Sequence, residues 1–106
     1  MTSRSSITIE ATALAPVHPG EVLAEELEVL GVSVAALARA LDVPQSRMAE
    51  LVKGTRSVTA DTALRLGTYF GNSPRFWLNL QAAYDLAVAR EKSGSHIAAV
   101  VRPHAA

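Results

Sequence analysis

Residues 33–54, SVAALARALDVPQSRMAELVKG, decide the fold. Ser33 is a good N-cap, and the apolar Val34, Leu37, Ala38 and Leu41 follow at i, i+3, i+4 and i+7, which predicts a short helix over Val34 to Leu41. Asp42 and Val43 break it. Pro44 suits the first turn of another helix running to Lys53, where Gly54 stops it, with Met48, Leu51 and Val52 facing inward. Two short helices so closely joined, each turning its apolar side to one core, have helix-turn-helix spacing. Short helical pairs are common in any small bundle, so spacing alone favours a plain packing unit over a DNA reader, and the outward residues have to separate the two readings.

The flanks are helical as well. His18, Pro19 and Gly20 punctuate the chain before a helix that carries Leu23, Leu27 and Leu30 on one face, with Glu21, Glu25 and Glu28 on another, and Gly31 ends it. Downstream, Thr59 caps a helix with Asp61 in its first turn and Ala60, Ala63, Leu64, Gly67 and Phe70 along one stripe, closed by Gly71. Ser73 and Pro74 open a last helix that turns Phe76, Trp77, Leu80, Ala83, Tyr84 and Ala87 inward. Its aromatics read as core, or as a dimer seam, before a ligand cage. After Lys92 the SGS stretch ends the helical pattern, and HIAAVVRPH beyond it reads as a strand or a sticky segment. Met1 to Val17, rich in Ser, Thr and Ala with a brief alternation in SITIE, reads as a flexible arm. The expected architecture is all-α, a five-helix bundle with flexible or weakly structured termini: an arm over 1–17, a helix-turn-helix domain over 18–92 and a tail over 93–106.

Composition narrows the function. A chain of 106 residues, 49% hydrophobic, holds one domain with material for a core. Ten Lys+Arg balance ten Asp+Glu, so binding to nucleic acid by bulk attraction is excluded and any such contact must be local. The absence of cysteine rules out disulfides, thiolate zinc sites and thiol catalysis. The longest apolar runs, Val34 to Ala38 and Ile97 to Val101, are five residues, far short of the ~20 that span a bilayer. MTSRSSITIE has no apolar segment of the secretory kind, so the expected location is the cytoplasm. His18, His96 and His104 lack metal-ligand spacing, and neither a nucleophile–base pair nor a phosphate-cradling glycine loop appears. No metal, cofactor, small-molecule ligand or catalytic residue is expected, and the chain does not read as an enzyme.

With Met48 and Leu51 inward, helical periodicity turns Gln45, Ser46, Ala49 and Glu50 outward and leaves Arg47 at the margin. These side chains suit a DNA major groove. Gln bonds adenine N6 and N7, Ser bonds either base, Ala admits a thymine methyl, Glu accepts from cytosine N4, and Arg takes guanine or a phosphate. From Ser33 to Ala60, four cations (Arg39, Arg47, Lys53, Arg56) face two anions (Asp42, Glu50). Lys53 and the turn with Thr55, Arg56 and Ser57, together with Ser33, are candidate phosphate contacts.

The stretch from His18 to Leu86 resembles the HigA antitoxins among the Xre-like, lambda-repressor-like helix-turn-helix regulators. HPGE in the first helix, TALRL in the fourth and FWLNLQAAYDL in the fifth carry the resemblance. It implies a homodimer that neutralises a HigB-type messenger-RNA-cleaving toxin and represses its own operon. It also implies that the DNA-reading helix is Pro44 through Lys53, with Gln45, Ser46, Arg47 and Glu50 at its reading face; Pro44 and Ala49 beside them complete the candidate base-reading set. Asp42 stands where members often have Gly in the inter-helix turn, and Pro44 where many have Ser. A dimer sets two reading helices about one DNA turn apart, ~34 Å, on a palindromic operator. For the toxin, two surfaces are candidates: the acidic face of Glu21, Glu25 and Glu28, which attracts a basic ribonuclease, and the HIAAVV segment, which adds a strand to a partner's sheet edge. The competing classes are a stand-alone regulator with the same DNA chemistry and a bundle that binds only proteins.

Overall fold

Four of the five helix starts among the described residues are capped by a side chain, and three of the helix ends by a glycine. The structure is a computed structural model that describes residues 16–105. Its five helices are α1 (Pro19–Leu30), α2 (Val34–Leu41), α3 (Gln45–Lys53), α4 (Ala60–Phe70) and α5 (Pro74–Val100). Ser33 Oγ accepts from the Ala36 N–H at 3.0 Å, Thr59 Oγ1 from the Thr62 N–H at 3.3 Å and Ser73 Oγ from the Arg75 N–H at 3.1 Å. At α1 the cap is His18, whose Nδ1 accepts from the Gly20 N–H at 2.9 Å while Glu21 Oε2 accepts from the His18 N–H at 3.4 Å. Gly31, Gly54 and Gly71 end α1, α3 and α4 in the left-handed conformation. Pro44 is the N-cap of α3 and not its first helical residue, with no side chain to offer the exposed N–H groups. The SITIE alternation and the rest of the arm up to Ala15 lie outside the described residues.

Two units are distinguished, Val17–Ala82 and a second that takes in the chain from Ala83 onward. In the first, α3 packs on α1 and α2, and α2 packs on α4. The core is formed by Leu23 and Leu27 of α1, Leu37, Ala38 and Leu41 of α2, Met48 and Leu51 of α3, Val58 of the turn before α4, Ala63 and Leu66 of α4, and Trp77 of α5. The residues expected to face inward on α2 and α3 do so, Val34 and Val52 at the edge.

Elsewhere the buried faces are rotated from the expected ones. Leu30 of α1 is exposed. On α4 the buried residues are Thr62, Ala63, Leu66 and Gly67, while Ala60 and Leu64 face solvent, Leu64 at 59% exposure. Thr62 takes an inward place because its hydroxyl is hydrogen-bonded there, which an apolar count misses. On α5, Trp77 and Gln81 are buried, whereas Phe76 and Ala83 are exposed. In the second unit α5 does not end after Lys92 but continues through Ser93, Gly94 and Ser95 to Val100. A single interior Gly costs a helix only about 1 kcal/mol, and no proline intervenes until Pro103. HIAAVV is therefore helical up to Val100, so it offers no edge strand to a partner, and that candidate is withdrawn.

Candidate nucleic-acid interface

α3 is seated from three sides. Below it, Met48 and Leu51 are fully buried. At its C-terminal end, α1 approaches so closely that a Cβ on Gly20 would stand 2.0 Å from the Leu51 carbonyl oxygen, so only glycine fits. At its N-terminal end the turn from α2 is closed by the Val43 N–H donating to Ala38 O at 3.0 Å, with Asp42 in the left-handed conformation at φ 59°. Glycine adopts that conformation without strain, and an aspartate tolerates it.

α4 completes the seat through one carboxylate. Asp61 Oδ2 accepts from Arg47 Nη2 at 2.7 Å and from Arg65 Nε at 2.9 Å. Arg47 Nη2 also donates to Thr62 Oγ1 at 2.8 Å. Arg65 Nη1 donates to the Leu41 and Asp42 carbonyls at 2.8 and 3.3 Å, which satisfies the open C-terminal end of α2 with a cation. The α2 end, the first turn of α3 and the start of α4 thus share one arginine–carboxylate cluster. The hydrogen bonds from Arg65 and then Arg47 hold the Asp61 carboxyl below the ordinary aspartate range.

On the outer edge of α3, Gln45 and Ser46 are exposed with Pro44 beside them, and Ala49 is half-buried. Arg47 is half-buried and engaged by α4. Glu50 is exposed, and its Oε1 accepts from Arg56 Nε at 2.9 Å and Nη2 at 2.7 Å. Thr55 folds back on the end of α3, its N–H and hydroxyl both donating to Glu50 O, at 3.0 and 3.1 Å. Lys53 and Ser57 are exposed, and so is Ser33, whose hydroxyl proton is not used by its capping bond. The turn itself is pinned from beneath: Val58 is buried and its N–H donates to Gln81 Oε1 at 2.8 Å.

The expected reading edge and the expected phosphate contacts of the 53–57 turn therefore lie at the two ends of one short helix. Two of the four cations around them are already paired with carboxylates, while Arg39 and Lys53 make no ion pair among the described residues. On α1, Glu25 and Glu28 are exposed and make no ion pair among the described residues, whereas Glu21 is partly committed to its own helix start. Sequence reasoning missed Gly20, Thr62, Arg65 and Gln81 as supports of this edge, and read Asp61 only as a complement to the α4 dipole. The string TADTALRL held the signal, an acid four residues before an arginine on one helix face. Among the described residues no group of three or more His, Cys, Asp or Glu side chains is placed to hold a metal ion, and no helix is long and apolar enough to cross a membrane.

Known proteins resemble the chain over most of its length. An addiction module antidote protein of a HigA family from Coxiella burnetii is 51% identical and superposes with a TM-score of 0.84, covering 86% of this chain and 100% of its own. The Pseudomonas aeruginosa antitoxin HigA, solved with the higBA promoter, is 44% identical with a TM-score of 0.82, over 85% of this chain and 99% of its own. Virulence-associated protein I of Dichelobacter nodosus is 48% identical over 91 residues, 85% of this chain and 84% of its own. No family model matches the chain.

Proposed function

The chain belongs to the HigA family of addiction-module antidote proteins, and from that premise we propose that it binds operator DNA upstream of its own gene through α3 and neutralises a partner toxin. One observation carries the DNA reading: Met48 and Leu51 anchor α3 in the core while Gln45 and Ser46 stand exposed on its opposite edge. The relative solved on a promoter supports it. Gln45 and Ser46 read base edges, with Pro44 and Ala49 shaping the approach. Lys53, Thr55, Arg56, Ser57 and Ser33 meet phosphates on either side of the groove. A single short helix reads only a few base pairs, and a good bidentate contact gives ~1–3 kcal/mol of discrimination, so a homodimer on a palindrome supplies the selectivity one copy lacks.

The toxin is a HigB-type messenger-RNA-cleaving ribonuclease, basic where it meets the exposed Glu25 and Glu28 of α1. Fluorescence anisotropy on a duplex spanning the DNA upstream of the gene tests the first half. Gln45→Ala is expected to narrow the gap between that duplex and a scrambled one, and Lys53→Ala to weaken both alike and flatten the salt dependence. Co-expression with the adjacent gene tests the second: rescue of growth and co-purification are expected, both lost on reversing Glu25 and Glu28 to Lys. An adjacent gene that is harmless alone leaves the chain a regulator without a toxin.

A further inference from the structure

Arginines at a DNA interface are usually counted as free cations, and here two of them are not. Arg47 is held by Asp61 and Thr62, and Arg56 by Glu50 through two nitrogens. Glu50 sits on the outer edge of α3 itself, where a carboxylate facing a duplex finds acceptor-rich base edges and phosphates. Only a donor such as the cytosine amino group, or Arg56, satisfies it there. Resting on the DNA-binding reading above, we propose that Glu50 and Asp61 are specificity-determining residues that withhold Arg56 and Arg47 from phosphates until the α3 edge fits its bases.

The physics favours withholding over locking. The Glu50–Arg56 pair is exposed on both sides, at 47% each, and Asp61 is 56% exposed against a half-buried Arg47; exposed ion pairs are weak, so the first pair yields more readily than the second. A phosphate brought into bidentate range by a well-fitted edge replaces the carboxylate as the arginine's acceptor. A loose, sequence-independent encounter does not bring it that close, and it meets two carboxylates instead of two cations. Random duplex therefore loses more affinity than the cognate site.

The test compares wild type, Glu50→Gln and Asp61→Asn on two duplexes, the DNA upstream of the gene and a scrambled sequence of equal composition, across a salt series. Glu50→Gln is expected to tighten binding to the scrambled duplex by about five-fold and to steepen its salt slope by about one phosphate's worth, with a smaller gain on the upstream duplex. Asp61→Asn is expected to act in the same direction. A merely structural role would weaken both duplexes and leave the slope alone, which overturns the proposal. If Asp61→Asn fails to fold, Glu50→Gln, on an exposed edge outside the core, decides alone. Wild type that binds upstream DNA selectively while both variants match it in affinity and slope also overturns the proposal and leaves the DNA-binding reading standing. Wild type that binds neither duplex overturns both.

Discussion

Gln81 is buried, and its Oε1 takes the buried N–H of Val58, 23 residues away in sequence. That bond fixes the turn carrying Thr55, Arg56 and Ser57. Replacing Gln81 with Leu keeps the volume but strands the Val58 N–H, which costs about 1–3 kcal/mol. Thermal unfolding is expected to show that loss, and an unchanged midpoint would contradict it. Asp61 makes the second residue-scale prediction. Because two arginines favour its charged form, its folded pKa lies below the ordinary value of 3.8. Its contribution to stability is present above the ordinary carboxylate pKa and disappears as pH falls through the lowered one. NMR titration of the Asp61 carboxyl is expected to give a midpoint below 3.8, moved upward by Arg47→Ala; an unshifted midpoint would contradict the cluster. Neither Gln81 nor Thr62 was legible as a buried residue, because an apolar count reads polar side chains as outward and their partners lie on other elements.

At the scale of elements, boundaries made by local chemistry were legible. Ser33, Thr59 and Gly54 are caps whose backbone partners lie within a few residues, so the sequence states them directly. The end of α5 was misread for the opposite reason: a Ser-Gly-Ser cluster weakens a helix without forbidding it, and only Pro103 is an absolute stop. The turn between α2 and α3 yields a prediction of its own. Asp42 occupies a left-handed conformation at φ 59°, which disfavours residues with a Cβ by roughly 1–2 kcal/mol, less for Asp than for most. Its carbonyl, which Arg65 uses, survives any side-chain change. Asp42→Gly is therefore expected to leave the protein as stable or up to about 1 kcal/mol more stable in denaturant unfolding. A clear destabilisation would show that the aspartate side chain holds the turn in a way the observed bonds do not reveal.

For the molecule as a whole, a net charge of zero conceals opposed surfaces. The twelve residues of α1 carry four glutamates and no Lys or Arg, while the stretch from Ser33 to Ala60 is locally basic. The proposed function therefore gives DNA and a basic toxin different elements of one small domain, with α3 packed on α1 and α2 and presenting its polar edge outward. The helix-turn-helix and the exposed polar edge of α3 were visible in the sequence, since Met48 and Leu51 fix which way the helix turns. The clamp of α4 on Arg47 was not, because it depends on packing between helices that periodicity cannot register. The most direct test is a titration of isotope-labelled protein with the duplex upstream of its gene, followed by amide NMR. The largest shifts are expected at Gln45, Ser46 and Ala49, then at Thr55 and Arg56, with Glu25 and Glu28 unmoved. Saturable binding that shifts α1 and leaves Gln45 to Ala49 in place would contradict the claim that α3 enters the groove.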